Sequence, residues 1–144
     1  MKFYPEKLQD FLDTISLLPD ESERINILID YAEKFKEVPP DVAEKPYPEK
    51  NKVPFCESGA YVWAKKQDDN TLKFYFSVEN PQGISAKALA AILDKTLSGE
   101  TPENIINIDE DIVNKIFGAG LSTRKNMGLS GIIQMIKRDA KDFL

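Results

Sequence analysis

Up to Phe35, apolar side chains recur at spacings of three and four. Leu8, Phe11, Leu12 and Ile15 fall on one face of a helix, and Pro19 ends the run. Asp20 followed by Glu23 has the form of a capping box, and beyond it Ile25, Leu28, Ile29, Ala32 and Phe35 draw a second stripe. The pattern predicts two short helices packed as a hairpin, with Glu21, Glu23, Arg24, Lys34 and Lys36 on a solvated face. Between Val38 and Pro54 the periodicity collapses. Pro39, Pro40, Pro46, Pro48 and Pro54 remove backbone donors and push the residues before them towards extended conformations. A connection this long is uncommon inside a domain and is usually functional or disordered; a plain surface connector is the other reading.

After Cys56 the period becomes two. Tyr61 and Trp63 alternate with Ala60, Val62 and Ala64, Asp68-Asp69-Asn70 signals a turn, and Leu72, Phe74, Phe76 and Val78 alternate with Lys73, Tyr75 and Ser77. This predicts an antiparallel hairpin with one apolar face. Asn80 to Gly83 stops it, and Ala86 to Leu97 reads as an apolar helix closed by Gly99. Thr101-Pro102 opens a short turn, Asp109 caps a second short helix through Ile112, Val113 and Ile116, and Gly118 and Gly120 end it. The longest helix comes last, with Leu129, Ile132, Ile133, Ile136, Ala140 and Phe143 facing inward and Met127 and Met135 filling gaps beside them. Strands that are few and grouped among helices argue for an α+β fold, a small antiparallel sheet covered by helices, with an N-terminal helix pair and a long C-terminal helix. Gly118-Ala119-Gly120-Leu121 follows no strand and lacks a third glycine, so it is no dinucleotide fingerprint.

The chain has 144 residues, the length of a single domain spanning 1–144, long enough to bury roughly 70% of its unfolded surface without a disulfide or a metal. Its formal charge is −5. That field repels nucleic acid and anionic membranes, and no basic tract interleaves with aromatics, so neither is expected as a partner. No segment has the length and apolarity of a membrane span or of a leader, and a lone cysteine builds no disulfide framework; the expected compartment is the cytoplasm.

Cys56 is the only cysteine, and the chain contains no histidine. One thiol is too few for a tetrahedral metal or iron–sulfur site, so no metal and no resident cofactor is expected. Without histidine the thiol lacks the usual neutral-pH base, which argues against a cysteine hydrolase. Two readings remain: a packed apolar thiol, or a thiol that borrows its chemistry from a partner.

The run Val53-Pro54-Phe55-Cys56-Glu57-Ser58-Gly59-Ala60-Tyr61-Val62-Trp63 resembles the cysteine loop of the SufE family, the sulfur acceptors of iron–sulfur cluster assembly. In its typical form a glycine precedes the cysteine, which is followed by any residue, serine, glutamine, a small apolar residue and an aromatic. Cys56, Ser58, Ala60 and Tyr61 match by spacing. Leu121-Ser122-Thr123-Arg124-Lys125-Asn126-Met127-Gly128-Leu129 is similar to the family's second motif, Leu-Ser/Thr followed by Arg and Gly-Leu, and the order of elements agrees over most of the chain. Two separated motifs in the right order are more specific than either alone. Phe55 stands where the family commonly has glycine, Gly59 where it has glutamine, and Lys125 at the place of the family arginine, with Arg124 one position earlier. Glu79 lies roughly at the place of a family acidic residue.

The resemblance implies a fold of the SufE/IscU-like kind and a sulfur carrier rather than a stand-alone enzyme. A SufS-type or CsdA-like cysteine desulfurase, dependent on pyridoxal phosphate, would load persulfide sulfur and be stimulated in return, and a SufBCD-type scaffold would receive the sulfur. Cys56 would be the acceptor, with Phe55, Glu57, Ser58, Tyr61, Arg124 and Lys125 supporting it or docking the partner. Ordinary cysteine is only a few per cent thiolate at neutral pH. Lys50, Lys52, Arg124 and Lys125 would favour the anion and Glu57 oppose it. Phe55, Tyr61 and the hairpin would shelter the product. The alternatives are a non-catalytic interaction module in which Cys56 is merely packed and, less well supported for want of a resolving cysteine and a base, an independent thiol enzyme.

Overall fold

The computed structural model describes residues 4–144. α1 (Glu6–Ser16) buries Leu8, Leu12 and Ile15, as their spacing predicts. α2 (Glu21–Glu33) starts where the Asp20 carboxylate accepts a hydrogen bond from Glu23 N–H at 2.9 Å, satisfying one amide that a helix start leaves without a partner. Its expected stripe is only partly used: Leu28 is buried, while Ile25 and Ile29 are 47% and 40% exposed. The two helices do not form the predicted hairpin. Their rings touch edge to face, Phe11 against Tyr31 at 5.5 Å, but each helix packs chiefly on α3 (Ile84–Leu97). α3 buries Ala86, Ala88, Leu89, Ala90, Ile92 and Leu93, a surface broad enough to receive both partners, so α1 and α2 need not cover each other.

β1 (Ala60–Lys66) and β2 (Leu72–Val78) pair antiparallel, with Ala60 opposite Val78 and Lys66 opposite Leu72. Asp69 closes the turn by accepting from Thr71 N–H at 3.1 Å, and Asn70 takes the left-handed backbone at φ 67° that asparagine tolerates. One face, carrying Ala60, Val62, Phe74, Phe76 and Val78, joins the main core with α3 and the C-terminal helix. The other face is apolar too, contrary to the single greasy face expected. Tyr61 and Trp63 are buried there beneath Val38, Val42, Ala43 and Tyr47. The Tyr47 ring stands edge-on to both, with centroids at 5.1 and 5.0 Å. The proline-spaced run is therefore a packed strap over the sheet. Val38 N–H donates to Phe76 C=O at 2.8 Å and Asn51 Nδ2 to Val62 C=O at 2.9 Å, fastening it at both ends.

α4 (Pro102–Ile105) and α5 (Ile112–Phe117) are short and bury Ile105, Ile112, Val113 and Ile116. α6 (Thr123–Lys141) begins with Ser122 Oγ accepting from Lys125 N–H at 3.2 Å and presents Leu129, Ile132, Ile133, Ile136 and Ala140 to the core. Phe143 lies past the helix end and is 36% exposed, so it is not part of the inward stripe. Met135 fills the core as expected; Met127 does not, and is exposed. Among the described residues no helix is long and apolar enough to cross a membrane.

Candidate functional site

Cys56 sits half-buried on the short loop between the strap and β1. The loop is pinched at its base, where Val53 N–H donates to Ala60 C=O at 2.8 Å, and closed at its tip, where Gly59 N–H donates to Cys56 C=O at 3.1 Å. Such a tight return needs left-handed backbone at two places, Gly59 at φ 64° and Phe55 at φ 60°. Glycine takes this conformation freely. For phenylalanine it costs about 1–2 kcal/mol, and the Phe55 ring is 76% exposed, with little burial to offset it.

α6 is the wall behind the loop. A Cβ placed on Gly128 would stand 3.2 Å from Cys56 Cα and 3.4 Å from its Sγ, and one on Gly131 would stand 2.9 Å from Val53 Cγ1. Glycine inside a helix costs about 1 kcal/mol relative to alanine. Here the missing side chains let the cysteine loop lie directly on the helix backbone.

Two cavities open at Cys56. The larger, about 820 Å³, has an apolar lining from Val53, Pro54, Phe55 and Met127 and charged groups of both signs, Lys52 and Arg124 with Glu49 and Glu57. The smaller, about 170 Å³, lies between Ser58, Gly83 at the start of α3, and Arg124, Lys125 and Gly128 on α6. Arg124 borders both and donates to the Glu57 carboxylate at 2.8 Å, tying the residue after the thiol to the first turn of α6. The charges at the larger mouth balance in number, Lys52 and Arg124 against Glu49 and Glu57, with Arg124 and Glu57 paired to each other.

Most of the expected site residues converge on these cavities. Phe55, Glu57, Ser58, Arg124 and Lys125 all line one or both. Ser58 accepts from Asn80 N–H through its backbone at 3.0 Å, and its side chain packs where a Gly83 Cβ would otherwise be, only 2.9 Å away. Tyr61 borders neither cavity. It lies under the strap, and burial first, then the negative charge of the Glu79 carboxylate, raises its phenol above the usual value. Glu79 thus serves Tyr61 and the loop base, where its N–H donates to Gly59 C=O at 3.1 Å. Lys50 is also elsewhere, its C=O accepting from Arg138 at 3.0 Å. Of the expected shelter, Phe55 lines the larger cavity, whereas Tyr61 does not border either, and α6 forms the wall behind the thiol. Met127, Gly128 and Gly131 were missed; two glycines three apart within a helix, each carrying a propensity cost, were the available signal of a close approach. Among the described residues no three His, Cys, Asp or Glu side chains are grouped to hold a metal ion.

A family model described as SufE, Fe-S metabolism associated domain, matches residues 9–140. The chain belongs to the SufE family. Its role accordingly lies in iron–sulfur metabolism. The SufE assignment agrees with the architecture: the solution structure of a hypothetical protein from Thermus thermophilus superposes with a TM-score of 0.73 at 24% identity, covering 97% of each chain, a likeness of fold. No curated protein sequence matches the chain. Against the SufE pattern, the residue in the glycine position before the thiol is Phe55, and it adopts the backbone conformation for which glycine is suited.

Proposed function

We propose that this SufE-family chain is a sulfur acceptor that takes persulfide sulfur from a cysteine desulfurase onto Cys56, accelerates that enzyme by unloading it, and delivers the sulfur to a SufBCD-type assembly scaffold in the cytoplasm. The observation that carries the reading is the setting of the only cysteine: half-buried on a closed loop, at the mouth of a cavity about 820 Å³ in volume with an apolar lining from Val53, Pro54, Phe55 and Met127.

The step conserves atoms and electrons. The Cys56 thiol releases its proton to solvent, and the thiolate attacks the outer, sulfane sulfur of the donor's cysteine persulfide. The donor's S–S bond breaks as a new S–S bond forms on Cys56, and the donor leaves as a thiolate; no external oxidant or reductant enters. The donor generates the sulfane sulfur with its own pyridoxal phosphate, which explains how a chain without histidine hosts a reactive thiol. This chain contributes the nucleophile, a loop that holds it at the cavity mouth, and apolar walls that keep reductants and water from the persulfide.

The test is the turnover of a SufS-type desulfurase, read as alanine formed from L-cysteine, with and without the protein. The reading predicts stimulation by the wild type and none by Cys56→Ser. Binding without stimulation by either would favour the interaction module.

A further inference from the structure

A second cleft, of about 480 Å³, lies along the outer edge of β2 and shares no lining residue with the cavities at Cys56. Three of its properties converge. The first is charge: in a chain of net charge −5, Lys34, Lys36, Lys73 and Lys95 all border it. Lys73 is paired with Asp94, but Lys34, Lys36 and Lys95 have no carboxylate partner among the described residues. Lys34 and Lys95 instead converge on one ring, each 5.5 Å from the centroid of Tyr31. Lys95 Nζ also donates to the Tyr31 hydroxyl at 3.4 Å, and two cations held at one ring with no carboxylate pairing either leave positive charge for an anion to meet. Glu37 is the one lining carboxylate not engaged by Lys73.

The second property is an apolar lining made by Phe35, Pro39, Tyr75 and Ala91, all of them half-buried. The third is an open piece of sheet edge. Phe74 and Phe76 turn their backbone groups away from β1: Phe74 N–H donates to Ser98 Oγ at 3.1 Å, and Phe76 C=O accepts from Val38 N–H at 2.8 Å. Between these caps Phe74 C=O and Phe76 N–H have no partner among the described residues. An acceptor and a donor flanking one residue, Tyr75, is the pattern that a single residue of a parallel strand satisfies with its own N–H and C=O.

The geometry points to a docking site for an acidic, extended peptide segment of a protein partner, whose backbone pairs with β2 at Tyr75, whose apolar side chain at that place packs beside Tyr75 on the same face of the sheet, and whose carboxylates meet Lys34 and Lys95. The site is separate from Cys56 and does not depend on the sulfur chemistry. It offers a way to hold a partner while the cysteine loop stays unobstructed.

The probe is a blocked five-residue peptide with leucine at its centre and glutamate or aspartate elsewhere, followed by amide shifts in an NMR titration of the full chain. Saturable shifts are expected at Tyr31, Phe74, Tyr75, Phe76 and Lys95. N-methylation of the central leucine, which removes the donor to Phe74 C=O, and the double variant Lys34→Glu with Lys95→Glu should each weaken binding by about tenfold or more, a loss in the range of two charge contacts or one buried hydrogen bond. The charge-matched control Lys115→Glu with Lys141→Glu, away from the cleft, should bind as wild type, and far-UV circular dichroism should be the same for both double variants. No saturable shift with the acidic peptide, equal binding of its lysine counterpart, equal binding of the N-methylated form, or shifts produced by inorganic phosphate alone would each overturn the proposal.

Discussion

Alanine at Gly131 and at Gly128 separates two consequences of the cysteine loop lying on α6. Each substitution gains about 1 kcal/mol of helix propensity. At Gly131 the new Cβ would stand 2.9 Å from Val53 Cγ1, a side chain 1% exposed, and 3.4 Å from Pro54 C=O. Val53 is β-branched and enclosed, so it has no easy rotamer to retreat to. Overpacking of this kind costs about 1–3 kcal/mol, which outweighs the propensity gain; a net loss on the order of 1 kcal/mol corresponds to a fall of roughly 2–4 °C in Tm for a chain of this size. At Gly128 the nearest atoms are Cys56 Cα at 3.2 Å and Sγ at 3.4 Å, a misfit of a few tenths of an ångström against a loop bordered by open cavities. There the loop yields, stability stays within about 0.5 kcal/mol of wild type, and Cys56 is pushed outward. Urea denaturation and the rate of Cys56 alkylation by iodoacetamide read the two effects. The expected result is a lower midpoint at unchanged m for Gly131→Ala, and an unchanged midpoint with faster alkylation for Gly128→Ala. A Gly131→Ala variant more stable than wild type by the full propensity increment would refute the packing of loop on helix.

Phe55→Gly should be more stable than Phe55→Ala by about 1 kcal/mol, because alanine keeps the cost of the left-handed backbone and glycine does not; equal midpoints would show that the strain is absent. The Glu57 and Arg124 side chains are 66% and 75% exposed, so a double-mutant cycle with Glu57→Gln and Arg124→Ala should give a coupling below about 1 kcal/mol that fades with salt, placing the role of the pair in orientation of the loop. Asp139 has a side chain only 13% exposed and, despite hydrogen bonds from Arg138, burial raises its carboxyl above the usual range. A raised acid pKa means that the folded state binds the proton more tightly than the unfolded chain, so this stabilisation is full below the unfolded value of about 3.9 and is lost as pH rises through the folded value. The stability of Asp139→Asn relative to wild type should therefore increase from acid to neutral pH; a decrease over that window would reverse the sign of the assignment.

Much of this architecture was legible because local patterns and tertiary packing agree. The α1 stripe, the Asp20 cap, the period-two strands with their Asp-Asp-Asn turn and the stripe of α6 all appear as their spacing predicts. Failures fall where the answer depends on what lies opposite. Ile25 and Ile29 have the spacing of core residues, yet α3 reaches only the Leu28 side of α2. Prolines read as a loose loop because they break periodicity, but Val38, Val42 and Tyr47 were still available to cover Tyr61 and Trp63, and no local pattern states that pairing. The two motifs, around Cys56 and around Arg124 and Lys125, meet at the cavities, because a paired motif encodes proximity between distant segments. Tyr61 was misplaced for a physical reason: in a strand, neighbours alternate faces, so a residue close in sequence to the thiol points to the opposite side of the sheet. The contributions of Gly128 and Gly131 are absences of side chain, visible only once the loop is seen against the helix.

The central claim is that Cys56 accepts sulfur from a loaded donor. The direct measurement is the intact mass of the protein, followed by peptide mapping, after incubation with a SufS-type desulfurase, its pyridoxal phosphate and L-cysteine. The account predicts a gain of sulfur on the peptide that contains Cys56, removed by reductant and absent in Cys56→Ser. An unchanged mass while the desulfurase itself carries persulfide, or the same gain in Cys56→Ser, would contradict it.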